Sequence, residues 1–106
     1  MKIADISVEL FDTMGTDLSV VNAARVSFAK TISGLSEQDT KLIKYLVQHK
    51  HWTPFAHCFA SFRVRAPIFV ARQLAKHQVG LAWNEVSRRY VDEEPEFYFP
   101  ETWRTR

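Results

Sequence analysis

The chain of 106 residues has a single cysteine, Cys58, which excludes an intrachain disulfide and a cysteine-rich zinc site. Its three glycines and four prolines are scattered, and no repeat, linker or low-complexity tract interrupts the sequence. No apolar run approaches the roughly 20 residues that a membrane-spanning helix needs. The opening stretch, MKIADISVEL, introduces acids early and lacks the apolar core of a secretion signal. Together these absences point to a cytoplasmic location and no membrane partner. Disorder is disfavoured by 46% apolar and 25% charged residues. Aromatic side chains, by contrast, are abundant: eight Phe, three Trp and three Tyr. Such rings fill cores and also stack on planar ligands.

A chain of this length folds as one domain, 1–106, burying about 65% of its extended-chain surface. Its net charge of +2 conceals a strong segregation. Residues 1–50 are balanced, with six bases and six acids. Residues 63–89 hold Arg63, Arg65, Arg72, Lys76, Arg88 and Arg89 against Glu85 alone, a net of +5. Residues 92–101 then carry five acids and no base. Positive potential confined to one segment suits a phosphate-bearing small ligand or a short nucleic-acid contact.

Helical and strand periodicities interleave, predicting an α+β fold, an antiparallel sheet with packed helices. IADISVELFDTM alternates as a strand does, and MGTD ends it. Asp17 or Ser19 offers a cap for a helix through LSVVNAARVSF, with Val20, Ala23, Ala24 and Val26 as its apolar side. Ser36 opens a second helix, with Asp39 completing the cap and Leu42, Ile43, Leu46 and Val47 at helical spacing. CFASFRVRA alternates as a half-buried strand. Pro67 suits the first turn of a third helix, IFVARQLAKHQ, which places Ile68, Ala71, Leu74 and Ala75 on one face and ends at Gly80.

Three clusters carry the polar chemistry. On the third helix Arg72 and Lys76 stand one turn apart, as do Gln73 and His77, and Arg and Lys both bind phosphate oxygens. A solvated helix face explains the same pattern. In NEVSRRY, Ser87 and its amide precede Arg88 and Arg89, the groups that a phosphate monoester needs. Asn84 and Glu85 can accept from a sugar or base. Nothing at suitable spacing activates Ser87, so it reads as a binding hydroxyl rather than a nucleophile. In HKHWTPFAH, no acid in the segment completes a metal site with His49 and His51, and no metal is expected. His51 reads as an oriented imidazole in a ligand pocket, and His49 as helix-end packing. Thr53-Pro54 suits a turn where a hydroxyl and free amides meet an anion.

Taken in order, these blocks resemble the flavin-dependent thymidylate synthases, the ThyX family. That family's hallmark is Arg-His-Arg-x-x-Ser-x-Asn-Glu-x-Ser-x-Arg-Tyr, and KHQVGLAWNEVSRRY keeps His77, Asn84, Glu85, Ser87, Arg89 and Tyr90. DLSVVNAARVSF, HWTPFAH, APIFVARQ and EFYFP resemble family segments in the same order, covering nearly the whole chain. Lys76 and Gln78 replace the hallmark arginines beside His77, and the interval from His77 to Asn84 is one residue longer. Leu81 or Ala82 stands at the first hallmark serine, and Ala56 replaces an acid within PFxH.

The resemblance implies conversion of dUMP to dTMP, with the carbon from methylenetetrahydrofolate and the hydride from reduced FAD, recharged by NADPH. It assigns Thr53, Lys76, His77, Gln78 and Glu85 to FAD, with His51 near the flavin as the catalytic candidate. It assigns Gln73, Lys76, Glu85, Ser87, Arg88 and Arg89 to dUMP. It implies a homo-oligomer, a tetramer, and an N-terminal portion of a longer catalytic domain, whose remainder, a separate C-terminal polypeptide among the options, activates the uracil. The alternatives are a non-catalytic nucleotide-binding relative, and a nucleic-acid module with Trp83 and Tyr90 as stacking platforms.

Overall fold

The computed structural model describes residues 1–105. Along the chain run β1 (Lys2–Ile3), β2 (Ser7–Met14), α1 (Asp17–Arg25), α2 (Glu37–Gln48), β3 (Phe59–Arg65), α3 (Ile68–Leu74) and β4 (Glu96–Phe97). Single turns of 3₁₀ helix cover Val26–Phe28 and Phe55–His57. The fold is α+β, with a small antiparallel sheet and helices. β2 and β3 are its paired strands, Arg63 facing Glu9 at 3.8 Å near one end and Cys58 meeting Gly15 at the other. β1 pairs with β4 in parallel, Lys2 beside Glu96 and Ile3 beside Phe97.

Contacts divide the chain into two compact units, Leu10–Phe62 and a second made of Met1–Glu9 with the chain from Arg63 onward. In the first, α1 packs on α2 around Val20, Val21 and Leu46, which are buried. Burying such a side chain contributes about 1.5–3 kcal/mol, so this trio anchors the helix pair. Beside it the Asp39 carboxylate is 3% exposed and accepts from the Arg25 guanidinium, an ion pair between α2 and α1. The Asn22 side chain ties the following loop to α1, accepting from the Ile32 amide at 2.8 Å and donating to its carbonyl at 3.1 Å.

Helix ends follow local chemistry. Ser36 caps α2: its amide and hydroxyl donate to Asp39 Oδ2 at 2.8 and 2.7 Å, and the Asp39 amide returns a bond to Ser36 Oγ. These bonds from Ser36, followed by that from Arg25, hold the Asp39 carboxyl below the ordinary carboxylate range. α1 departs from expectation, because its cap is Thr16 rather than Asp17 or Ser19. Ser19 lies at the third helical position, where its Oγ accepts from the Thr16 amide at 3.0 Å. Val26 is 72% exposed instead of facing the core, since the chain tightens to 3₁₀ there and turns through Ala29 at φ 52°. Val47 likewise points outward.

Two further expectations are corrected. Alternation predicts a half-buried β3, yet every residue of β2 and β3 is exposed on both faces. The helices of the first unit pack on each other, so alternation in these strands marks apolar surface that this chain leaves uncovered. α3 ends at Leu74, well before Gly80, with Pro67 as its cap rather than its first residue. Beyond it the Lys76 and His77 amides reach back only three residues, to the Gln73 and Leu74 carbonyls, a tightening that closes the helix. Ile68, placed on the apolar face by periodicity, is 70% exposed. In this unit Glu96 binds Lys2 at 2.7 Å and Arg65 at 3.3 Å. The Lys2 bond and these two charges lower the Glu96 pKa, and the same contact raises that of Lys2.

Candidate functional site

Within the second unit, α3 and the turn after it shape a cavity of about 450 Å³, lined by Phe69, Arg72, Gln73, Lys76 and His77. Phe69, Arg72, Gln73 and Lys76 reach one side because a helix closed by a tight turn still presents residues three and four apart together. Arg72 and Lys76 therefore share the cavity although Lys76 lies outside the helix. Gln78 is exposed and does not belong to that lining. Arg72 donates to Glu85 Oε2 at 3.1 Å, which ties the start of NEVSRRY to α3.

NEVSRRY is irregular chain, not a helix face, and it ends in a turn closed by the Tyr90 amide on the Ser87 carbonyl at 3.0 Å. Ser87 Oγ accepts from both the Arg89 amide and Arg89 Nε, each at 3.3 Å. The Arg89 guanidinium also lies 5.4 Å from the centre of the Tyr90 ring, within cation–π range. Arg88 is directed elsewhere, donating to the Glu93 carbonyl at 2.6 Å. The turn thus presents Arg89, held on two sides and exposed, beside a hydroxyl. That arrangement suits an oxyanion. Arg88, expected on the same anion, bonds the acidic segment through one of its guanidinium nitrogens.

The remaining candidates lie in the first unit. His51 and Thr53 line a cavity of about 350 Å³ with Ala23, Ala24, Ser27, Leu46, Lys50, Trp52 and Pro54. Lys50 takes the left-handed conformation at φ 57°, turning the chain sharply at the end of α2. The His51 amide then bonds the Leu46 carbonyl at 2.9 Å and docks the segment on the helix end. His49 is the C-terminal cap of α2 and stacks on Tyr45. Sequence reasoning passes over Ser27, Lys50 and Trp52 as lining residues. A basic residue and a tryptophan flanking His51 are the available signal. Among the described residues, no three His, Cys, Asp or Glu side chains gather as a metal site would require.

Both cavities offer what a large nucleotide cofactor or a nucleotide uses: aromatic faces, neutral hydrogen-bonding groups and one or two cations each. Among the described residues no helix is long and apolar enough to cross a membrane.

Comparison with known proteins identifies the family. Residues 9–106 match the family model described as thymidylate synthase complementing protein. The flavin-dependent thymidylate synthase of Thermosipho melanesiensis is 49% identical over 94 residues, 89% of this chain and 40% of that protein. That of Thermotoga neapolitana is 50% identical over 93 residues, covering 88% and 42% respectively. Among solved structures, the UMP/dUMP methylase PolB from Streptomyces cacaoi bound with 5-Br dUMP superposes with a TM-score of 0.83 at 41% identity, over 95% of this chain and 44% of that one. Its complex with 5-Br UMP gives 0.77 at 40% identity. The chain therefore spans about two fifths of the length of these relatives. A match over all but the first eight residues, with these identities, shows that the chain belongs to the thymidylate synthase complementing protein family, whose curated relatives are named flavin-dependent thymidylate synthases.

Proposed function

We propose that this chain provides nucleotide- and flavin-binding surfaces for the methylation of dUMP to dTMP, with methylenetetrahydrofolate as carbon donor, FAD as flavin and NADPH as reductant. The observation that carries the reading is the Ser87–Arg89–Tyr90 turn, an exposed guanidinium held in place beside a hydroxyl. A phosphate monoester there gains charge-assisted hydrogen bonds without ordering a free side chain first. Gln73, Lys76 and Glu85 are assigned to the same nucleotide. The pairing with Arg72 holds the Glu85 carboxylate beside α3, where it can accept from a sugar hydroxyl or base N–H.

Thr53, Lys76, His77, Gln78 and Glu85 are assigned to FAD, and His51 to the neighbourhood of its ring. The donor set fits this group, since Trp52 and His51 offer planar faces and Lys50 a cation around one cavity. Bound reduced flavin supplies the hydride, and the residues of this chain bind, orient and exclude water. The exposed strands support a tetrameric assembly: Phe11 on β2 is 59% exposed and Phe62 on β3 is 54% exposed. We place the protein in the cytoplasm. Calorimetric titration with dUMP and absorbance titration with FAD test the reading. Micromolar to millimolar binding of each supports it. Salt-sensitive oligonucleotide binding with no nucleotide or flavin affinity would replace it with the nucleic-acid module.

A further inference from the structure

At the end of α2 three rings meet, and of these only His51 has a ligand assignment. Tyr45 and His49, one helical turn apart, stack with ring centres 4.0 Å apart and planes at 28°. His51 meets both edge-on, 6.1 Å from Tyr45 at 77° and 6.3 Å from His49 at 75°. Offset-stacked and perpendicular arrangements at these distances are the attractive ones for rings with negative faces and positive edges. All three side chains are exposed, Tyr45 by half, so close packing by the core does not dictate their orientations.

The His49 ring is further specified. Its Nδ1 lies 2.9 Å from the Tyr45 carbonyl oxygen, which can only accept, so Nδ1 carries the proton. The same carbonyl also accepts from the His49 amide at 3.0 Å, so main chain and ring are held on one oxygen, which fixes both the tautomer and the plane of the ring. The left-handed turn at Lys50 and the His51–Leu46 backbone bond then swing His51 back against that plane. Of the three rings, only His51 lines the cavity that holds Thr53 and Trp52.

We infer that Tyr45 and His49 are positioning residues for His51, a stacked pair on which the His51 imidazole rests so that it presents one orientation to a planar ligand in the cavity. The inference deepens the flavin reading of that cavity and rests on it for the identity of the ligand alone. Without the stack, His51 samples several rotamers, and a ligand has to select the productive one. Deleting either supporting ring is expected to weaken binding about fivefold.

The experiment uses the full chain with isotope-labelled histidine and follows the His51 ring resonances alongside FAD titration. Tyr45→Phe keeps the stack and is expected to leave both unchanged. Tyr45→Leu and His49→Gln remove a ring, and each is expected to shift the His51 ring signals and weaken FAD roughly fivefold. The glutamine retains a donor for the Tyr45 carbonyl, so its variant separates loss of the ring from loss of the helix-end bond. His51 signals unmoved in either folded variant overturn the inference. If wild-type protein binds no FAD, the flavin reading fails, and the ring signals alone still decide whether Tyr45 and His49 position His51.

Discussion

Arg89 is the residue on which the nucleotide reading depends most directly. Its Nε and amide on Ser87 and its seat by the Tyr90 ring orient the guanidinium before any ligand arrives. Arg89→Ala removes a charged hydrogen bond worth about 1.5–3 kcal/mol, so dUMP affinity falls roughly 10- to 150-fold by calorimetry. Lys76→Ala loses a mobile point charge on the cavity wall and weakens dUMP less. Equal affinity of Arg89→Ala and wild type removes the assignment. Gly15 gives a separate test at this scale. It sits at φ +87°, and a Cβ there would come within 2.7 Å of Cys58 Sγ and 3.1 Å of the His57 carbonyl. Gly15→Ala combines left-handed strain of about 1–2 kcal/mol with that clash, and thermal melting is expected to fall accordingly.

For elements, the junction of α1 and α2 governs stability. Leu46→Ala empties the centre of the α1–α2 pair and costs about 2–4 kcal/mol in a denaturant titration. Asp39 links cap and ion pair, so its loss affects both helices. Its depressed pKa means the unfolded chain takes up a proton before the folded one does. Its contribution is therefore complete above the ordinary aspartate value, near 4, and fades as pH falls through the lower folded value. Melting temperature followed from pH 7 to 2 is expected to decline over that window, and Asp39→Asn to flatten the decline. Parallel wild-type and variant curves contradict this. Elements are also where sequence reading succeeds and fails most clearly. Ser36 and Asp39 announce α2 by themselves, because a cap is chemistry within four residues. Sequence misplaces the end of α3 because AKHQ has ordinary helical propensity, and the three-residue bonds that close it are not encoded in any single side chain.

At the scale of the whole molecule, the uncovered strands are decisive. β2 and β3 expose Val8, Leu10, Phe11, Phe59 and Phe62 by half or more, a quantity of apolar surface that favours association. Light scattering at micromolar concentration is expected to give a mass well above that of one 12.3 kDa chain, and a monomer would contradict the proposed assembly. The same scale bounds catalysis. The chain matches about two fifths of the length of its relatives, and the roles proposed for its candidate residues do not include polarising a uracil ring. Losing one preorganised donor at a reacting centre costs about 10²–10³ in rate. Thymidylate formation by the 106-residue chain with FAD, NADPH and methylenetetrahydrofolate is expected to be negligible, and restored by a polypeptide equivalent to the remainder of its relatives. Robust turnover alone would overturn this.

Order and identity of residues along the chain were enough to determine the α+β class, the family, the start of α2 and the grouping of charge in residues 63–89. These are local or cumulative properties: capping bonds span a few residues, and charge adds up regardless of fold. Tertiary structure decided which residues of each pattern act together. It joined Arg72 to Glu85 and Arg88 to the Glu93 carbonyl, and set Tyr45 and His49 against His51. It also decided that alternation in β2 and β3 marks exposed surface rather than buried core. Alternation reports only that two faces differ in chemistry. What lies against each face depends on chain, or on partners, far away in sequence, and that is a property no local pattern contains.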